Sequence, residues 1–293
     1  MKYIPILALL SLSTAALAQE IPLDGYLNTQ DFKDVTPAPY PGIKPGDILS
    51  VRRVWRDIDT NVEANKLFNS SGSKLIEIII DGIRSDEIIP YSAASTKKNP
   101  SGDAFSEPLA KEEAFAKFNE DSVMVPILDK EGNITKYQWK LGEFNPQKVT
   151  KFRLKEDWIF DRGRGIYEPR IVGIAPLVRI SAIGELIAEQ PAFWINFNQA
   201  RKIMARHPVI FQSDTKLSYD DVFVLRKFSS TIIKESNPED LKVADYMTSE
   251  EDIKKEAARI EASIQDQKQA IWMHQRPAFV AKKPNSKTTP TKQ

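Results

Sequence analysis

Two periods of apolar residues run along this chain, and they predict different elements. In "VTKFRLKEDWIFD", Thr150, Phe152, Leu154 and Glu156 alternate with Val149, Lys151, Arg153 and Lys155, the two-residue repeat of a strand. "IYEPRIVGIAPLVRI" is a second strand candidate, and "RGRG", Arg162 to Gly165, lies between the two as a glycine-bearing turn. The pattern predicts a hairpin from Lys151 to Leu177. "ITKYQWKLG" interleaves Ile134, Tyr137 and Trp139 with polar residues and reads as a further strand. "SVRRVWRDID", Ser50 to Asp59, carries Val51, Val54, Trp55 and Ile58 and reads as a strand leading into a helix near Thr60.

Elsewhere the spacing is helical. "SKLIEIIIDGIRSDEII" places Leu75, Ile76, Ile79, Ile80 and Ile83 on one face, with Ser73 as the cap and Glu77 in the first turns. Its isoleucine run also fits a buried strand. Ala110 to Asn119 reads as a short helix. "FWINFNQARKIMA", Phe193 to Ala205, is apolar and then helical, with Asn198 as the cap. "LSYDDVFVLRKFSSTIIKESNP", Leu217 to Pro238, reads as one continuous helix. Ser218 and Asp221 have capping-box spacing, and Asp220 and Asp221 fall in the positive first turn. Val222, Leu225, Phe228, Ser229 and Ile232 form its face, Lys234 sits in its last turn, and Asn237-Pro238 ends it.

These elements predict an α+β fold, a central antiparallel sheet with packed helices over residues 50–247. A loose internal echo allows two duplicated modules, 50–145 and 146–247, each with a Trp-bearing apolar run, a helix, a loop and a second helix. Residues 248–276 form a strongly charged amphipathic helix whose stripe is Ile253, Ala257, Ile260, Ile264 and Ile271. A stripe that thin suits docking on another surface. Trp55, Trp158, Trp194 and Phe228 are assigned to packing. Residues 277–293 are polar enough to be disordered.

Ahead of the core, residues 1–18 read as a signal peptide: Lys2, an apolar run, then "AALA" before Gln19. Residues 19–49 are rich in Pro and Gly ("DVTPAPYPGIKPGD") and predict an extended arm. No later segment is long and apolar enough for a membrane helix. The chain has no cysteine, which excludes disulfides, zinc-thiolate sites and a cysteine nucleophile. Its 41 basic and 40 acidic residues leave a net charge of +1, which argues against nucleic-acid binding driven by bulk charge.

No catalytic constellation stands out. The two histidines, His207 and His274, have no metal-ligand spacing, and no nucleophile elbow, P-loop or complete dinucleotide fingerprint is present. Asp57, Asp59, Asp161 and Asp220 are the carboxylates a glycosidase-like hydrolase would draw on, but caps and ion pairs are the commoner use of such residues. The sequence therefore gives no catalytic, cofactor or metal residues. A secreted carboxylate-dependent hydrolase and a periplasmic binding module remain as alternatives. Candidate partner contacts are Arg162 and Arg164 at the hairpin tip and Ile253, Ile260 and Ile264 on the last helix.

"DWIFDRGRGIYEPRIVGIAPL", "FWINFNQAR" and "YDDVFVLRKFSSTIIKESN…VADY" resemble the GldN/PorN family, as do "VRRVWRDID" and "LIEIIIDGIRSDEIIPY". The resemblance runs from about Val51 to Trp272. After Asp59 the chain departs from it, reading "TNVEANKLF" where the family continues Leu-Arg-Glu-Lys. The resemblance implies a non-enzymatic periplasmic subunit of the type IX secretion and gliding machinery of Bacteroidetes. It implies association with the outer membrane through a GldK/PorK-like lipoprotein, self-association in a ring, and engagement by a GldL–GldM or PorL–PorM-like motor.

Overall fold

The structure is a computed structural model and describes residues 35–70, 72–118, 123–128, 134–140, 145, 149–182, 185–209 and 217–275. The expected signal segment, most of the arm and the tail 277–293 lie outside the described residues.

The elements follow in the order β1 (Ile48–Asp59), α1 (Leu75–Arg84), β2 (Pro90–Ser92), α2 (Lys111–Ala116), β3 (Val123–Leu128), β4 (Ile134–Lys140), β5 (Lys151–Asp161), β6 (Ile166–Ala182), β7 (Glu185–Pro191), β8 (Phe193–Asn196), α3 (Phe197–Ala205), α4 (Tyr219–Val224), β9 (Thr231–Glu235), α5 (Val243–Tyr246) and α6 (Glu250–Gln275). Seven strands make one antiparallel sheet in the order β2-β8-β6-β5-β1-β9, with β7 also paired to β6. β3 and β4 form a separate hairpin. The fold is thus α+β with a central antiparallel sheet. The stretches 50–145 and 146–247 both feed that one sheet, since β1 lies between β5 and β9.

The predicted hairpin is present with its ends in register: Lys151 lies opposite Leu177 and Asp161 opposite Ile166. Alternation along β1 and β5 then sorts side chains onto two faces. Ile58, Phe152 and Leu154 point to a helix-covered face, where α1, α3 and α4 close the main core with Leu75, Ile79, Phe193, Phe197 and Phe223. Further along the same face Val54 and Trp158 join Tyr167 and Ile232 under α6, whose Ile260 and Ile264 are fully buried. The other face carries Arg53, Trp55 and Asp57 opposite Asp157, Lys155 and Arg153.

The 217–238 stretch is not one helix. Ser218 and Asp221 do form a reciprocal capping box, but α4 ends at Val224. There Arg226 adopts a left-handed φ of 54°, Lys227 N–H donates to the Val222 carbonyl and Arg226 N–H to that of Phe223. That is a Schellman stop. The β-branched run Thr231-Ile232-Ile233 then pairs with β1, where Ile232 reaches the core under α6. Lys234 is accordingly a strand residue, and Phe228 is half-buried beside Phe68 and Phe223 rather than on a helix face.

Two other caps move. α1 is preceded by Lys74 without a side-chain cap, and Ser73 Oγ donates instead to the Pro208 carbonyl. α3 is capped by Asn196, whose side chain accepts from Asn198 N–H. The helix expected near Thr60 is a 3₁₀ helix, Glu63–Asn69.

Candidate interaction surfaces

The stripe on α6 docks on the chain's own sheet. Ile260 and Ile264 lie against Val54, Trp158 and Ile232, with Ile253 and Ile271 partly buried at the margins. These isoleucines, read as partner contacts, are therefore internal. The reason is the apolar patch that β1, β5, β6 and β9 leave beyond the main core, which a thin stripe is enough to cover. α6 is also latched by charge. Arg56 Nη1 lies 3.1 Å from Glu261, and Arg52 Nη1 donates to Ser263 at 3.0 Å.

Arg56 belongs to a buried network between the two cores. Arg226 Nη1 donates to Glu156 at 2.8 Å, and Glu156 is wholly buried. Arg56 Nε lies 2.9 Å from Glu156 Oε2, close enough for an ion pair but off the axis a hydrogen bond requires. Arg226 also stands over the Trp158 and Phe228 rings. Glu261 feels burial first, which pushes its carboxyl up, but Arg56 and Gln265 outweigh it and hold the group below its ordinary value.

At the hairpin tip both arginines serve the chain itself. Arg162 N–H donates to the Asp47 carbonyl, and its guanidinium reaches Gly46 and Asp47, so it binds the end of the arm. Arg164 pairs with Asp161 and Glu168 at 2.6 Å each. The Arg164 hydrogen bond is the main reason that Asp161 titrates below the usual carboxylate range. Arg162 keeps an exposed side chain; Arg164 is mostly covered.

The described part of the arm is clipped to the fold. Tyr40 lies between two guanidinium groups, 4.3 Å from that of Arg170 and 4.4 Å from that of Arg201. Arg201 also donates to the Ala38 carbonyl at 2.6 Å and Arg170 to that of Pro41 at 3.2 Å. Arg201 is itself held by a bidentate pair with buried Asp220, at 2.7 and 2.8 Å.

The second sheet face is partly roofed by the loop from Ala93 to Leu109. Phe105 sits over Gly173, where an added Cβ would lie 2.7 Å from the ring. Trp55, Ala175 and Trp194 pack beneath this loop, which joins the Trp-bearing runs of the two echoed stretches in one cluster. Asp103 accepts from Trp55 Nε1 at 2.7 Å and from Lys155 Nζ at 3.1 Å. Burial pushes the Lys155 ammonium down, and Asp103 only partly opposes it. Between this loop, β9 and the end of β7 lies a cleft of about 460 Å³. Lys155, Asp103 and Lys234 could not be placed there from sequence, because Lys155 and Asp103 are 52 residues apart and Lys234 reaches Trp55 only through the pairing of β1 with β9.

The carboxylates considered for hydrolysis are each engaged otherwise. Asp57 takes both guanidinium hydrogen bonds of Arg153 at 2.8 and 2.9 Å, and Asp59 accepts from Asn61 N–H. Asp161 serves Arg164 and Asp220 serves Arg201. Among the described residues no group of His, Asp and Glu is arranged to hold a metal ion. Nor is any described helix long and apolar enough to cross a membrane.

Residues 43–273 match a protein-family model described as "Gliding motility associated protein GldN". No curated protein matches the chain.

Proposed function

Because this chain belongs to the GldN family of gliding-motility-associated proteins, we propose that it is a non-enzymatic scaffold subunit of the gliding and type IX secretion machinery. In this reading it is exported to the periplasm and held at the outer membrane by a lipoprotein of the GldK/PorK kind. It repeats around a ring and offers a docking face to a motor of the GldL–GldM or PorL–PorM kind. The observation that carries the reading is the extent of the family match. Residues 43–273 begin just before β1 and reach the last turn of α6, so what the family shares is the whole folded unit. The internal use of the acids supports it: Asp57, Asp161 and Asp220 hold arginines rather than facing one another.

The test is affinity purification of the chain from cross-linked cells, followed by identification of what accompanies it. Recovery with an outer-membrane lipoprotein and motor components, in particles far larger than a monomer, is expected. Recovery of a free monomer from the soluble fraction overturns the reading.

A further inference from the structure

We infer that the cleft beneath the 93–109 loop is a docking site for an acidic segment of a partner protein. It is walled by Trp194, Ile233, Pro191 and Leu109, and Lys117, Arg153, Lys234 and Lys242 supply its lining cations. Lys155 lies directly behind its floor.

The charges at the cleft do not balance. Arg153 is neutralised by Asp57, Lys155 by Asp103, and Lys234 by Asp240. Burial pushes the Asp240 carboxyl up, yet Lys234, Ser101 and Lys242 together hold it below its ordinary value. Five cations thus meet three carboxylates. Lys117 and Lys242 are the two left over: both are exposed, and neither ammonium group forms an ion pair with a carboxylate among the described residues, Lys242 acting on Asp240 only at longer range.

The floor is rigid. Lys234 Nζ lies 4.4 Å from the centre of the Trp55 ring, while Asp103 ties Trp55 to Lys155 from the other side. A fixed apolar wall beside two unmatched ammonium groups suits a short segment that brings both carboxylates and an apolar side chain. A free inorganic anion would leave the wall of Trp194, Ile233 and Pro191 unused. Only the identity of the partner rests on the scaffold reading above; the cleft chemistry does not.

The test uses a fluorescein-labelled peptide, Glu-Glu-Phe-Glu-Glu, titrated into the purified chain at low salt and followed by anisotropy. The same measurement is made with the Gln-Gln-Phe-Gln-Gln peptide and with the Lys117→Glu/Lys242→Glu double variant. Both positions are exposed, so the melting temperature should not move. The expected result is saturable binding of the acidic peptide, weakened about tenfold or more by either change and by added salt, as for charge-steered contacts. Equal binding of the glutamine peptide, an unaffected double variant or no binding overturns the proposal. Displacement by inorganic phosphate at peptide-like concentrations marks a small-anion site and also overturns it. So does sedimentation showing that the double variant changes only the self-association of the chain, since a second copy is then the occupant. If the lipoprotein still co-purifies with wild type while the peptide fails to bind, the cleft proposal falls and the scaffold reading stands.

Discussion

At the residue scale the interior is organised by a few charged groups whose partners arrive from distant segments. Glu156 is the clearest case, wholly buried between Arg56 and Arg226. Replacing it with Ala leaves two guanidinium groups around an emptied site. The expected loss is about 3–5 kcal/mol, as when one member of a buried ion pair is removed. Urea unfolding checks this, and a loss below about 1 kcal/mol would show that water reaches Arg56 and compensates it. The aromatic cluster distinguishes Phe228, which the sequence pattern assigns to packing, from Phe223. Phe223 is fully buried, whereas Phe228 is half-buried at the cluster's edge. Phe223→Ala should cost about 3–5 kcal/mol and Phe228→Ala clearly less, because less surface is vacated. Equal midpoint shifts in urea would contradict the placement of Phe228.

At the element scale α6 joins an apolar stripe to a titratable latch. It is held by the Ile260–Ile264 stripe and by the Glu261–Arg56 and Ser263–Arg52 contacts. The folded Glu261 carboxyl lies below its ordinary 4.5, so its contribution is fully present above pH 4.5 and is lost as pH falls through the folded value. Acidification below about pH 4.5 should therefore loosen α6 before the main core yields. Hydrogen exchange is the direct measurement, with Trp158 beneath the helix as a fluorescence reporter. Glu261→Gln should remove the part of the pH dependence of α6 protection that comes from the Arg56 contact, leaving the part from Glu256, whose carboxyl Arg259 also holds down. Uniform protection loss across α1, α3 and α6 would mean that the helix is not a separate unit. The same reasoning explains why a helix with so thin an apolar stripe does not need a second protein: the sheet already presents Val54, Trp158 and Ile232 to it.

At the scale of the whole molecule, one sheet carries both cores on a single face and a charged, loop-covered cleft on the other. The described part of the arm, from residue 35, is joined to that unit through Tyr40, Ala38 and Pro41. Tyr40→Ala should cost about 1–2 kcal/mol, the scale of two partly desolvated cation–π contacts. It should also raise the protease sensitivity of residues 35–47. On the scaffold reading proposed above, removal of residues 19–49, which takes Ile48 and Leu49 from the start of β1, should leave the rest of the sheet folded but reduce the size of the particles on gel filtration after cross-linking. Particles of normal size would assign ring contacts to other surfaces.

The hairpin from Lys151 to Leu177, the capping box at Ser218 and the amphipathic course of α6 were legible from sequence because each depends on near neighbours. Strand alternation, cap spacing and helical periodicity are local signals, and here they agree with the fold. The family was legible too, since long ordered motifs survive without knowledge of their contacts. The break at Arg226 was not: a periodic apolar pattern from Val222 to Ile232 fits one helix until β1 offers Ile232 a strand to pair with. Nor was the use of Ile260 and Ile264, because a stripe states that a surface must be covered and not which surface covers it. The cleft lies furthest from sequence. Its floor joins Trp55, Asp103, Lys155 and Lys234 from four separate segments, and only the assembled sheet sets Lys155 against Asp103 and Lys234 against the Trp55 ring, leaving the Lys117 and Lys242 ammonium groups without an ion pair.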